Sequence, residues 1–138
     1  MTREEMILHY QNFIKFERLT NQEAVIGAGG AMLMLGLREE TQDIDIDLPE
    51  NIFHRIVIKH GITGERIISP TSSIIAKYDA LIDLHKSAGE PTMVIEGVRI
   101  WKPHYILQFK EKLNRDKDQK DISVLRIYLG IHPNKITI

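Results

Sequence analysis

The chain contains no cysteine, so disulfide bonds, thiolate zinc sites and cysteine nucleophiles are excluded within it. It also lacks an excess of basic residues: the formal net charge is −1, which gives no sign of nonspecific nucleic-acid binding. No apolar run approaches the length of a membrane span, and residues 1–5 carry acids without a following apolar segment. We therefore expect no membrane partner and no signal peptide. The absence of cysteine fits a reducing compartment, and we expect a cytoplasmic protein.

The composition is that of a folded domain, with 43% hydrophobic and 27% charged residues in 138. Because this length fits one domain and allows a sizeable core, we predict a single domain over residues 1–138. Charge is distributed unevenly, with acids concentrated in 39–50 and bases in 99–120. This contrast suits a metal-bound polyanion, although two solvated, charge-mixed surfaces would give the same pattern.

Hydrophobic periodicity predicts an α+β fold in which helices flank a mixed sheet. Thr2 and Glu5 form a capping-box pattern, and helical spacing continues to about Leu19. Short apolar runs predict strands at 24–28, 43–48, 66–68, 74–76, 80–85, 92–95 and 98–101. Further helices are predicted at 31–35, 51–60, 103–114 and 118–129.

Acids and aliphatic residues alternate strictly from Asp43 to Leu48. In a strand, Asp43, Asp45 and Asp47 would point to one face, with neighbours about 7 Å apart. Unpaired carboxylates repel one another, and a hard divalent cation that prefers carboxylate oxygen would relieve the repulsion. An edge strand with a solvated acidic face is the alternative interpretation, because such charges block edge pairing.

A strand entering Gly29-Gly30 and then a helix is typical of a phosphate-binding turn, since backbone N–H groups at a helix start can approach the anion. A tight strand-to-helix turn is the alternative. The dinucleotide-binding pattern also competes, because Gly27-x-Gly29 follows a strand and Asp45 or Asp47 lies near the required distance. However, Met32 stands at the third glycine position, and the later chain does not alternate strand and helix.

Together, the glycine pair and the acidic strand resemble the nucleotidyltransferase superfamily, the fold shared with polymerase beta. The matching block runs from Gly29-Gly30 through Arg38 and Thr41 to Asp43-Ile44-Asp45. It is most similar to the small bacterial and phage members, including minimal nucleotidyltransferases and abortive-infection-type toxins. The family's third carboxylate corresponds to Asp83, with Asp79 as a less apolar-flanked alternative. Its late basic run corresponds to Lys110, Arg115, Lys117, Asp118 and Asp121.

The resemblance implies a metal-dependent transfer of a nucleoside monophosphate from a nucleoside triphosphate to a hydroxyl acceptor. It assigns Asp43, Asp45 and Asp83 as the catalytic residues that hold two Mg²⁺ ions, or Mn²⁺. It also implies that Gly29 and Gly30 cradle the phosphates. The implied contacts to phosphate or nucleotide are Arg38, Thr41 and Lys110, with structural ion pairs as the alternative for the arginine and the lysine. His85 would share the strand face of Asp83.

The acceptor is left open between a protein side chain, an RNA end and a small molecule. Because larger relatives carry extra domains for their substrates, we expect a partner protein, an RNA or a second copy of this chain to supply the acceptor surface. A second function also stays open, in which the fold is kept without catalysis and serves as an antitoxin, inhibitor or interaction module. Ala31 favours this second function, because many active relatives have Ser or Thr there. The complete set of carboxylates favours the enzyme.

Overall fold

A computed structural model of the chain describes residues 1–62, 66–68 and 73–131. It confirms the α+β fold class, with a mixed sheet flanked by helices. The helices are α1 (Arg3–Phe16), α2 (Ala28–Met34), α3 (Glu50–His60), α4 (Pro103–Leu113) and α5 (Gln119–Tyr128), with a short 3-10 helix at Asp116–Asp118. The strands are β1 (Val25–Ile26), β2 (Ile44–Leu48), β3 (Arg66–Ile68), β4 (Ser73–Lys77), β5 (Ile82–Lys86), β6 (Thr92–Ile95) and β7 (Val98–Trp101).

The sheet has seven strands in the order β3-β4-β5-β2-β1-β7-β6. Strand β2 pairs in parallel with β5, and β1 pairs in parallel with β7. The other neighbouring strands are antiparallel. The dinucleotide-binding alternative required a parallel, doubly wound sheet, and the strands described here do not form one.

The two faces of the sheet differ in chemistry because side chains alternate along each strand. On one face, Ile44, Ile46 and Leu84 are fully buried. Helices α1 and α2 pack beside this face near Ile26, and α3 covers it where the Lys86 ammonium lies 5.6 Å from the ring centroid of Phe53. Burying one such aliphatic side chain contributes about 1.5–3 kcal/mol. The aliphatic face therefore fixes which way the intervening acids of β2 and β5 point.

The opposite face carries the acids of β2 and β5 together with His85, and we call it the acid face. Its principal side chains are those of Asp45, Asp47, Asp83, His85, Lys77 and Trp101. The buried apolar side chains of the described residues form a core cluster that draws on all five helices. None of the described helices is both long and apolar enough to cross a membrane. The single domain over residues 1–138 stays a prediction.

The bend between β1 and α2 lies two residues earlier than predicted. Strand β1 ends at Ile26, Gly27 is the N-cap of α2, and Gly29 and Gly30 lie inside the first turn of the helix. The predicted turn at Gly29-Gly30 is therefore wrong. The backbone N–H of Gly27 donates to the carbonyl of Asp45 at 2.9 Å, which draws the chain into the bend before the glycine pair.

Gly30 is required by packing, so replacing it by alanine is expected to lower the free energy of unfolding by about 1–2 kcal/mol. An added Cβ would lie 2.5 Å from Cγ2 of Ile26 and 3.0 Å from Sδ of Met6, two fully buried side chains. Such overpacking costs about 1–3 kcal/mol, and the helix propensity of alanine offsets part of it. Urea unfolding of Gly30→Ala would measure the loss.

The matched control is Gly29→Ala, where the added Cβ would meet the Nη1 end of Arg38 at 2.8 Å. This flexible side chain can move, so the control should unfold at or slightly above the wild-type midpoint. Equal midpoints for the two variants would contradict the packing of Gly30 against Ile26.

Candidate functional site

Asp45 and Asp83 are neighbours on the acid face because β2 and β5 are parallel and in register, and Asp43 is close enough to feel both charges. Asp45 is the direct partner of Asp83 across this pair, and Asp43 lies one residue before β2. Asp83 is buried, whereas the Asp45 side chain is 43% exposed and Asp43 is partly exposed. The acids therefore form a group that is buried at Asp83 and opens toward solvent at Asp45.

The three acids act on one another electrostatically. Partial burial raises the pKa of Asp43, and the negative charges of Asp45 and Asp83 raise it further. The positive charge of Lys77 opposes these effects only in part. The carboxylate of Asp43 therefore carries repulsion that an added cation would relieve.

Two cationic or titratable side chains already contact this group. His85 Nε2 lies 2.8 Å from Oδ1 of Asp45, within hydrogen-bond distance. Burial lowers the pKa of His85, but the bond to Asp45 and the nearby negative charges outweigh burial, so the pKa lies above its ordinary value. Lys77 Nζ lies 2.9 Å from Oδ1 of Asp83 as an ion pair. That oxygen nevertheless accepts no hydrogen bond from the described residues, because the ammonium is not aligned for one.

Asp47 is held separately from the other acids. Its Oδ2 accepts a 2.7 Å hydrogen bond from Nε1 of Trp101. Burial raises the pKa of Asp47 to about 7, and the charge of Glu90 also raises it, while the bond from Trp101 acts in the opposite direction. The rings of Tyr105 and Phe109 pack edge-on against Trp101. Asp47 thus belongs to the contact between the acid face and α4.

A cleft of about 960 Å³ opens beside Asp43, within the size range of ligand pockets. One wall is the loop between α2 and β2, with Arg38, Thr41 and Asp43. The other wall comes from the 3-10 helix and α5, with Lys117 and Lys120. Glu39, Glu40 and Asp121 also line it, so the cleft has mixed charge.

Three of the predicted phosphate-binding residues, Gly29, Arg38 and Thr41, lie together where α2 meets the loop that follows it. A Cβ at Gly29 would lie 2.8 Å from Nη1 of Arg38 and 3.8 Å from Oγ1 of Thr41. The Thr41 hydroxyl donates to the backbone carbonyl of Asp43 at 3.1 Å. Gly29, Arg38, Thr41 and Asp43 are therefore neighbours. Gly30 instead faces the core, so its predicted contact with phosphate would come from its backbone alone.

Lys110 lies in a buried ion-pair cluster behind the cleft. Its Nζ is 3.1 Å from Oδ2 of Asp121 and 3.5 Å from Oδ1 of Asp118. Hydrogen bonds from Arg115 lower the pKa of Asp118, with a further contribution from the charge of Lys110. Arg38 pairs with Asp121 from the cleft side. The alternative of structural ion pairs thus describes Lys110 well, whereas Arg38 is paired and also lines the cleft.

The chain matches no protein-family model and no curated protein. The resemblance to nucleotidyltransferases therefore stays a prediction that rests on the quoted residues. Within residues 1–62, 66–68 and 73–131, no group of three or more His, Asp or Glu side chains is arranged to hold a metal ion. The predicted Mg²⁺ or Mn²⁺ also stays a prediction.

Sequence reasoning missed Lys77 entirely. The lysine stands directly opposite Asp83 in the antiparallel pair of β4 with β5, and this register is not readable from the sequence. Lys117 was named only in the late basic run and Lys120 not as a site residue, yet both line the cleft. Both lysines lie close to Asp121 in the sequence, in the segment that follows α4, and this position was the signal that could have identified them.

Proposed function

We propose that the chain is a metal-dependent nucleotidyltransferase that moves a nucleoside monophosphate from a nucleoside triphosphate to a hydroxyl acceptor. The observation that carries the proposal is the parallel register of β2 with β5, which sets Asp45 beside Asp83 on one face. Asp43 joins these acids to a cleft that also holds Arg38, Lys117 and Lys120. Anionic metal ligands beside a cleft of mixed charge that offers three cations are compatible with a metal-bound triphosphate.

The carboxylates fit a hard divalent cation in donor chemistry, although in the described residues they are not gathered into a group arranged to hold one. Carboxylate oxygen is the preferred ligand of Mg²⁺, and the buried Oδ1 atom of Asp83 accepts no hydrogen bond from the described residues and is met only by the Lys77 ammonium at 2.9 Å. Asp43, Asp45 and Asp83 would hold the cation, whose charge would stabilise the attacking and leaving oxygens. His85, through its hydrogen bond, orients the carboxylate of Asp45.

The protein's own groups supply binding, orientation and proton transfer. Arg38, Lys117 and Lys120 bind the triphosphate oxygens, with Thr41 holding the loop beside them. The acceptor oxygen forms a bond to the α-phosphorus as the bond to the bridging oxygen breaks, and pyrophosphate leaves. The hydroxyl proton passes to the carboxylate of Asp83. The acceptor belongs to a protein, an RNA or a small molecule, and we infer a cytoplasmic reaction.

One observation favours the second function, a binding protein that keeps the fold without catalysis. Ala31 is fully buried in α2, and its N–H donates to the carbonyl of Gly27 at 2.8 Å. It therefore offers a phosphate neither a hydroxyl nor a free N–H. In this second function the protein acts as an antitoxin, an inhibitor or an interaction module.

The test of the proposal combines binding with transfer. The full chain is titrated with each nucleoside triphosphate and Mg²⁺ by calorimetry, and is then incubated with α-³²P-labelled triphosphate and cell lysate. We expect binding of at least one nucleotide and covalent labelling of an acceptor. A Lys117→Ser, Lys120→Ser double variant should bind more weakly, because two cations leave the cleft wall.

Two other outcomes have distinct meanings. Nucleotide binding without any labelled product would support the binding protein over the enzyme. If no nucleotide binds, and the double variant behaves like the wild type, the nucleotidyltransferase proposal is wrong.

A further inference from the structure

Asp83 forms an ion pair with a cation of the protein itself, the ammonium of Lys77. Asp83 is one of five buried acids among the described residues, with 4% of its surface exposed. The Lys77 side chain is 47% exposed and reaches in from β4, with Nζ 2.9 Å from Oδ1 of Asp83. The lysine thus approaches the buried carboxylate from solvent.

The contact is close, but it is an ion pair without an aligned hydrogen bond. Lys77 Nζ makes no aligned hydrogen bond with Oδ1 of Asp83, whereas aligned charge-assisted hydrogen bonds are the strong ones. No other ion pair of Lys77 occurs among the described residues. The four-carbon stem is flexible and its head is half-exposed, but the Asp83 side chain is only 6% exposed, so the ammonium can leave only when another cation takes its place at the buried carboxylate. The ammonium is therefore displaceable.

We propose that Lys77 occupies the cation-binding position of Asp83 and sets the metal affinity of the site, so that a divalent cation binds Asp83 only by displacing the ammonium. The inference rests on the proposed function, because it assumes that the acid face binds a divalent cation. It adds a residue of β4 to the site and makes cation binding competitive. The lysine thereby keeps the buried carboxylate paired until a divalent cation replaces it.

Removing the ammonium should strengthen metal binding. An opposite charge within about 4–6 Å changes the proton affinity of a carboxylate by about tenfold or more, and a bound metal faces the same competition. We therefore expect Lys77→Met to bind Mn²⁺ at least about tenfold more tightly than the wild type. The measurement is the loss of the free Mn²⁺ electron paramagnetic resonance signal on titration with the full chain.

Two further variants isolate the cause. Lys86→Met removes the same charge from β5 on the aliphatic face, where the ammonium stacks on Phe53, and should leave Mn²⁺ affinity within about twofold of wild type. Lys77→Arg keeps the charge and should keep the wild-type affinity. Asp45→Asn in the Lys77→Met background should weaken binding, which assigns the bound Mn²⁺ to the acid face. If Lys77→Met is poorly folded by circular dichroism, Lys77→Gln replaces it.

These outcomes distinguish the competition by Lys77 from the proposed metal site on which it rests. If wild type and Lys77→Met bind Mn²⁺ equally at the acid face, the competition is wrong while the metal site stands. Weaker binding by Lys77→Met also overturns it. If no variant binds Mn²⁺, or Asp45→Asn changes nothing, both the inference and the proposed metal site are wrong.

Discussion

Replacing Asp43 by asparagine is expected to lower nucleotidyl transfer by about 10²–10³-fold without lowering the stability of the fold. The rate effect follows from the loss of one charged group that acts at the site of transition-state charge. The stability effect follows from the surroundings of the residue. Partial burial and the charges of Asp45 and Asp83 raise the pKa of Asp43, so its ionised form is disfavoured in the folded protein.

The sign of the stability change can be checked by pH. Because the folded-state pKa of Asp43 lies above the unfolded value, its ionisation opposes folding at neutral pH. Asp43→Asn should therefore unfold at an equal or higher denaturant concentration than wild type at pH 7. This difference should shrink as the pH falls through the raised pKa and vanish below the unfolded value of about 3.9. Urea titrations of both proteins from pH 7 to pH 3 measure it.

Asp79→Asn is the matched control for this prediction. Asp79 is an exposed acid whose Oδ1 accepts from the backbone N–H groups of Leu81 and Ile82, each at 2.8 Å. Asparagine can accept the same bonds through its amide oxygen. Transfer should therefore remain at the wild-type rate in Asp79→Asn. Loss of transfer in this control, with retention in Asp43→Asn, would mean that the wrong carboxylates have been chosen.

The fold could be predicted from the sequence because its signals are local. Strict alternation identified β2, and glycine or proline marked most element ends, such as the left-handed Gly61 that closes α3. The capping box of Thr2 with Glu5 is present as predicted. The bend after β1 was misplaced because apolar residues and glycines continue through it. No local signal distinguishes Gly27 as the N-cap from Gly29-Gly30 as the turn.

The site could be predicted only where a strand pattern or the family resemblance reached it. Asp43 and Asp45 were visible as alternating acids, and the resemblance supplied Asp83, which the parallel register sets beside Asp45. Lys77 was invisible because its approach depends on an antiparallel pairing with β5. Tertiary packing decides which distant segments pair, and the periodicity of one segment does not identify the strand with which it pairs.

Replacing Lys110 by methionine is expected to lower the free energy of unfolding by about 3 kcal/mol, because it leaves buried carboxylates without their central cation. The Lys110 side chain is 8% exposed, and those of Asp118 and Asp121 are 1% and 11% exposed. Breaking a buried ion pair from one side costs about 3–5 kcal/mol. The lower end applies because Arg115 still contacts Asp118 and Arg38 still contacts Asp121. Chemical unfolding at pH 7 measures the loss.

Lys112→Met is the control, since this lysine is exposed in the last turn of the same helix. Its unfolding free energy should stay within about 0.5 kcal/mol of wild type. The pair distinguishes the two interpretations of Lys110. A direct nucleotide contact would show as weaker nucleotide binding by Lys110→Met with normal stability, whereas the ion-pair cluster requires a loss of stability.

Through the ion-pair cluster, Lys110 can also influence nucleotide binding in the cleft indirectly. Asp121 contacts Lys110 from behind and Arg38 from the cleft side. Without Lys110, Arg38 becomes the sole cation paired with Asp121 among the described residues, so its guanidinium is held more strongly away from a phosphate. Nucleotide affinity in Lys110→Met should therefore fall in the folded protein, and Asp121→Asn in the same background should restore part of it by releasing Arg38. Failure of that restoration would leave Lys110 with a purely structural role in joining α4 to α5.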